Sequence, residues 1–116
     1  MKLIYIAGCY SAPNAWEREQ NIRRAEEVCA RLWRAGVSAV CVHTMARSFY
    51  GFVPEEKAIA IDNAILDRCD AIQLAAGWSN STGTHGEIHR ARLQNKPVFE
   101  PHMEWRCIEW ALGGAL

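Results

Sequence analysis

Residues 71–101 read "AIQLAAGWSNSTGTHGEIHRARLQNKPVFEP", and the pattern inside them decides the fold. "AIQLAAG" (71–77) is an apolar run of strand length closed by a glycine. A polar run through Gly83 follows, and from there a helix is expected to reach about Gln94. "PVFEP" (97–101) is a further short strand bounded by prolines. Strand, loop, helix and strand in this order form one βαβ unit, which makes the two strands parallel.

The alternation continues toward the N-terminus. "KLIYIAG" (2–8) reads as a first strand and "CYSAPN" (9–14) as its exit loop. Asn14 with Glu17 resembles a capping box. Behind it Ile22, Ala25, Val28, Cys29, Leu32 and Trp33 recur at helical spacing until Gly36. "SAVCVH" (38–43) is a second strand, and "TMARSFYGFV" (44–53) is expected to be an aromatic-rich loop. Pro54 suits the first position of a helix whose buried stripe would be Ala58, Ile61, Ile65 and Cys69. "EWRCIEWALGG" (104–114) gives a short last helix with Trp105, Ile108 and Trp110.

These elements predict one α/β domain over residues 1–116. Its form would be a three-layer Rossmann- or flavodoxin-like fold with a four- to five-stranded parallel sheet. Ligands in such folds bind beyond the carboxyl ends of the strands. The loops starting at Gly8, His43, Gly77 and Glu100 fall on that edge, together with the polar clusters of the loops read above.

Composition narrows the ligand. Half of the residues are hydrophobic and 22% are charged, and 13 basic side chains balance 13 acidic ones. With no basic tail or stripe, a nucleic-acid polymer is not an expected partner. The five cysteines form no C-x-x-C pair and most sit in apolar runs, as reduced thiols do. "MKLIYIAG" runs directly into a strand and no apolar run is long enough for a membrane span, so a cytoplasmic protein without membrane contact is expected.

Three chemistries lose their support. His85 and His89 share a helical face, but Glu87 lies about 200° from each, and H-E-x-x-H is absent, so no metal is expected. Neither a P-loop nor the dinucleotide fingerprint G-x-G-x-x-G occurs, and no cofactor is expected. Cys9 has no histidine near it in sequence and reads as an incidental thiol.

Carboxylates remain. Glu87 follows Ser81-Thr82-Gly83-Thr84, a run suited to presenting N–H groups and hydroxyls to an anion at a helix N-terminus. Asp62 lies beside the expected apolar stripe of its helix, where a carboxylate needs a partner such as Arg47 or Arg68, or a function. Asp67 and Asp70 read as an exposed helix residue and a helix-to-strand junction.

"LIYIAGCYS", Asp62 ahead of Asp70, and "S-x-G-T-H-x-E-I" together resemble the nucleoside 2-deoxyribosyltransferase-like superfamily. "STGTHGEI" followed by "KPV" is similar to its nucleoside 5′-monophosphate N-glycosidases, including cytidylate hydrolases. The resemblance spans about residues 2–100. It implies that Glu87 is the nucleophile at the anomeric carbon and that Asp62 orients or protonates the leaving base. It also puts Tyr10 beside the nucleophile, although Cys9 stands where the family commonly has proline. Ser81 matches the serine of the monophosphate hydrolases, where transferases of free nucleosides tend to carry aspartate. Ser81, Gly83 and Thr84 are thus the expected phosphate contacts. Gly8, Ser11, His43, Arg47 and Trp78 complete the candidate substrate-binding set, and Phe49, Tyr50 and Phe52 could cover the base.

The expected activity is hydrolysis of a (deoxy)ribonucleoside 5′-monophosphate to free base and (deoxy)ribose 5-phosphate. Base exchange by a deoxyribosyltransferase is one alternative. A non-catalytic nucleotide sensor is another, and a scaffold without nucleotide affinity a third. The partner would be a small nucleotide or nucleoside, in a homodimer or higher homo-oligomer that Trp105 and Trp110 could help to pack.

Overall fold

The computed structural model describes residues 1–116. Four parallel strands form one sheet: β1 (Leu3–Ala7), β2 (Ser38–Val40), β3 (Ala71–Leu74) and β4 (Val98–Phe99). Their order is β2-β1-β3-β4, the flavodoxin-like order, so the count expected from sequence settles at four. Ile4 pairs with both Ala39 and Ala71, which makes β1 central.

Helices cover both faces. On one face α1 (Ala15–Arg34) and α5 (Glu104–Ala111) pack over Ile4, Ile6, Ala39, Ala71 and Phe99. On the other, α3 (Glu55–Asp67) and α4 (Thr82–Leu93) pack over Tyr5, Ala7, Ile72 and Leu74. Every residue of β3 is buried, as a strand between two helical layers should be. A leucine such as Leu32, with no exposed surface, would cost roughly 2–5 kcal/mol on truncation to alanine. Asn14 caps α1 by accepting the Glu17 N–H at 2.8 Å, worth about 1 kcal/mol.

Three local expectations are corrected. Strand β2 stops at Val40, and residues 42–49 form the helix α2 (Val42–Phe49) rather than a loop. Arg47 holds that helix to α1 through Glu19 at 2.9 Å and Glu26 at 2.6 Å, and Thr44 adds a bond to Glu26. In α3 the inward stripe is turned by one residue. Ile61 is half exposed, whereas Asp62, Ile65, Leu66 and Cys69 face inward. Trp33 and Trp105 are also exposed. The indole of Trp33 lies on the surface and donates its N–H to Ala39 O, while Trp110 takes the inner position against Phe99.

Connections leave β1 and β3 on diverging sides of the sheet, so a crevice opens between their carboxyl ends. The two exits approach closely there. A Cβ on Gly8 would sit 3.0 Å from Ala75 Cβ, and Gly77 turns the chain at φ 82°. All five cysteines are free, and no helix is long and apolar enough to cross a membrane.

Candidate active site

Three polar side chains occupy inward positions of three different elements and meet at the carboxyl edge. Glu87 lies in the α4 stripe formed with Thr84, Ile88 and Ala91, at the spacing of a core-facing helical surface. Asp62 lies in the corresponding stripe of α3. Tyr5, fully buried in β1, points between them and donates its hydroxyl to Glu87 Oε2.

Burial pushes the Glu87 carboxyl up to about 7, the Asp62 charge pushes in the same direction, and the Tyr5 hydrogen bond opposes both. Burial also raises the Asp62 carboxyl, for which neither Arg47 nor Arg68 serves as partner. Arg47 is taken by Glu19 and Glu26, and Arg68 donates to Ala64 O. Burial, together with the negative charge of Glu87, holds Tyr5 protonated far beyond the usual phenol range. The result is a pair of carboxylates sharing one environment, with a locked hydroxyl on one of them.

The α4 N-terminus lies beside this pair. Ser81 is the N-cap and accepts the Thr84 N–H at 3.1 Å, while Ser81 O accepts the His85 N–H. The N–H groups of Thr82 and Gly83 are left as the free donors of the first turn. This corrects the expectation for Thr84, whose N–H belongs to the cap and whose side chain is buried with its hydroxyl unpartnered. Glu87 is five residues beyond Thr82, about 7.5 Å along the axis at 1.5 Å per residue.

The remaining candidates divide into lining and support. Tyr10 donates to Ala46 O at 3.3 Å and stands edge-on to His43 at 5.6 Å. Burial raises its hydroxyl, and the charges of Arg18 and Asp62 both reach it. His43 is a buried clamp: its Nε2 contacts Gly8 O at 3.2 Å and Cys9 O at 3.0 Å. Two carbonyl acceptors require Nε2 to carry the hydrogen, and burial lowers the basicity of the ring. His43 therefore shapes the first loop, and Gly8 is the residue it holds. Trp78 meets the His85 ring at 5.3 Å, and His85 Nε2 lies 2.9 Å from Ser79 O. Ser11 is exposed on a cleft of about 850 Å³ that Cys9, Pro13, Asn21, Gly77 and Asn80 also line. The cleft lies on the α1 side of the exit loops and does not reach Glu87.

No three His, Cys, Asp or Glu side chains converge to hold a metal ion. One side chain of this group escaped the sequence reading, Tyr5. A tyrosine amid isoleucines in a strand buried on both faces is the one available signal, because its hydroxyl must find a partner. Residues 2–100 match the family model described as a domain of unknown function, DUF7768. No curated protein matches the chain.

Proposed function

The chain belongs to the DUF7768 family, and we propose that it cleaves the N-glycosidic bond of nucleoside 5′-monophosphates, releasing free base and (deoxy)ribose 5-phosphate. The observation that carries this reading is Glu87, held by Tyr5, beside Asp62 and four to five residues past the free N–H groups of Gly83 and Thr82. The motif resemblance to nucleoside 2-deoxyribosyltransferase-like proteins supports it independently.

In this mechanism the 5′-phosphate docks on the α4 N-terminus, where N–H donors and the helix dipole favour an anion. Tyr5 engages Glu87 Oε2, which leaves Oε1 to attack C1′. As the Oε1–C1′ bond forms, the C1′–N bond breaks and its electron pair leaves with the base. Protonated Asp62 gives its proton to that nitrogen. Water then attacks C1′ of the glycosyl-enzyme, returns a proton to Asp62 and restores the Glu87 carboxylate. The ionised carboxylates also stabilise the positive charge that develops on the sugar.

The test is chromatographic detection of free base from a panel of ribo- and deoxyribonucleoside 5′-monophosphates and the matching nucleosides. Release that requires both the 5′-phosphate and Glu87 is expected. Exchange of base only when a second free base is added would assign a transferase instead. Phe49, Phe52, Ile59 and Ile61 are exposed, apolar side chains of the kind a homo-oligomer covers; light scattering would report its mass.

A further inference from the structure

A cleft of about 850 Å³ lies on the α1 side of the exit loops, where catalysis at Glu87 makes no use of it. That volume is in the range of roughly 300–1,000 Å³ that holds a whole small ligand. One wall is a single face of α1, with Glu17, Gln20, Asn21 and Arg24 at the i, i+3, i+4 and i+7 positions. The opposite wall is the exit of β3, at Ala76, Gly77 and Asn80. The cleft thus opens at the switch point, where the connections of β1 and β3 part. Arg24 is the one cation in its lining, and it bonds the neutral Asn21 Oδ1 rather than a carboxylate. Trp16 presents an exposed ring at the same cleft, and Glu17 is its one carboxylate.

Asn80 joins this cleft to the α4 N-terminus. It lines the cleft and directly precedes Ser81, the N-cap of α4. Thr82, whose N–H is free, is two residues on, so its Cα lies within about 7 Å of that of Asn80. A phosphate on α4 therefore has the cleft beside it, on the other face of the sheet from Glu87. We propose that this phosphate is the first of two: the preferred substrate is a nucleotide carrying a 5′-pyrophosphate, whose second phosphate and the neutral polar group attached to it occupy the α1 cleft. The inference rests on the glycosidase reading and adds its substrate class.

The lining supplies what each part of such a group needs. Arg24 keeps guanidinium N–H groups beyond its bond to Asn21, and a guanidinium fork matches two phosphate oxygens. Past the second phosphate, the Trp16 ring, the Gln20 amide and the Glu17 carboxylate suit a sugar or a second nucleoside, which brings hydroxyl donors and a face to stack. A third phosphate fits less well, because it would set another negative charge beside Glu17. The reaction itself is unchanged. Water supplies the oxygen that bonds C1′, the C1′–N bond breaks, and the base leaves with the bonding pair and a proton from Asp62. The pyrophosphate stays intact on the released pentose.

The experiment measures kcat/KM for base release from the 5′-monophosphate, the 5′-diphosphate, a diphosphate sugar and a pyrophosphate-linked dinucleotide of each common base. Native protein, Arg24→Met and Gln20→Trp, which fills the cleft, are compared. In the native protein a pyrophosphate-linked substrate is expected to exceed the monophosphate of the same base by roughly tenfold or more, the worth of a bond to a charged group. Both substitutions should bring that ratio toward one. Each ratio is read within one protein, so a general loss of folded enzyme cancels. The conjugate with the largest ratio identifies the attached group. A native ratio of one or below for every conjugate overturns the inference, as does a ratio that survives both substitutions. Release from monophosphates without any pyrophosphate advantage removes the inference alone. Release from no compound removes the glycosidase reading and the inference together.

Discussion

The Tyr5 hydroxyl donates to Glu87 Oε2, tying the central strand to the helix that follows β3 across 82 residues of sequence. This contact gives a buried carboxylate its one strong stabilising partner, so its removal has a direct readout. In Tyr5→Phe the carboxyl titration of Glu87, followed by carbon-13 NMR, should move upward from about 7, because the bond being lost favours the anion. Base release should slow by roughly 10- to 100-fold, the worth of a hydrogen bond to a charged group. An unchanged titration midpoint would show that the hydroxyl does not govern Glu87.

Asp62 acts on the same carboxyl with the opposite sign. Asp62→Asn removes a negative charge that raises Glu87, and the midpoint should fall below about 7. Base release should drop by about 10²- to 10⁴-fold, as for loss of a general acid. In the native pair the productive form holds one proton on Asp62 and none on Glu87. The rate should therefore fall at alkaline pH, as the pair loses its last proton. That alkaline limb should be missing in Asp62→Asn.

Glu87 also carries a stability cost. Its carboxyl sits near 7 in the folded chain and at the ordinary 4.5 in the unfolded one, so the folded state binds more protons between these values. Stability contributed by this site is full below about 4.5 and is lost as pH rises through 7. Glu87→Gln keeps an acceptor for Tyr5 without the buried charge. It should be more stable than the native protein at pH 8, by roughly 2–3 kcal/mol in urea unfolding, and nearly equal to it at pH 4.5. Equal stability at both pH values would contradict a buried, ionising Glu87.

Ser81 has two roles that one substitution separates. Aspartate is as good an N-cap as serine, so Ser81→Asp should preserve α4 and the melting temperature. The new carboxylate would repel a 5′-phosphate. We expect kcat/KM for monophosphates to drop at least about tenfold, since like charges in a desolvated site cost several kcal/mol, with free nucleosides less affected. Equal losses for both substrate types would place the phosphate elsewhere.

The parallel sheet and the carboxylates on α3 and α4 were legible because periodicity and turn residues agreed along the chain. Helix α2 was not. Val40, Cys41 and Val42 continue the β-rich run of Ser38–Val40, and only the ion pairs of Arg47 to α1, made across the fold, reveal why the chain coils there. The one-residue turn of the α3 stripe was hidden for a related reason. Ile61 and Asp62 are adjacent, and hydrophobicity assigns the isoleucine inward, whereas the structure leaves Ile61 half exposed and buries much of Asp62. Tyr5 takes its place from a partner 82 residues away, a separation that local patterns do not encode. The Ser81 cap involves only a three-residue span and was readable directly.

The most direct test of Glu87 as nucleophile is mass spectrometry of the protein quenched during turnover of a 2′-fluoro-substituted nucleoside 5′-monophosphate, whose glycosyl-enzyme hydrolyses slowly. One sugar phosphate attached to the peptide carrying Glu87, and none in Glu87→Gln, is the predicted result. Base release at an undiminished rate from Glu87→Gln, with no adduct on the native protein, would contradict it.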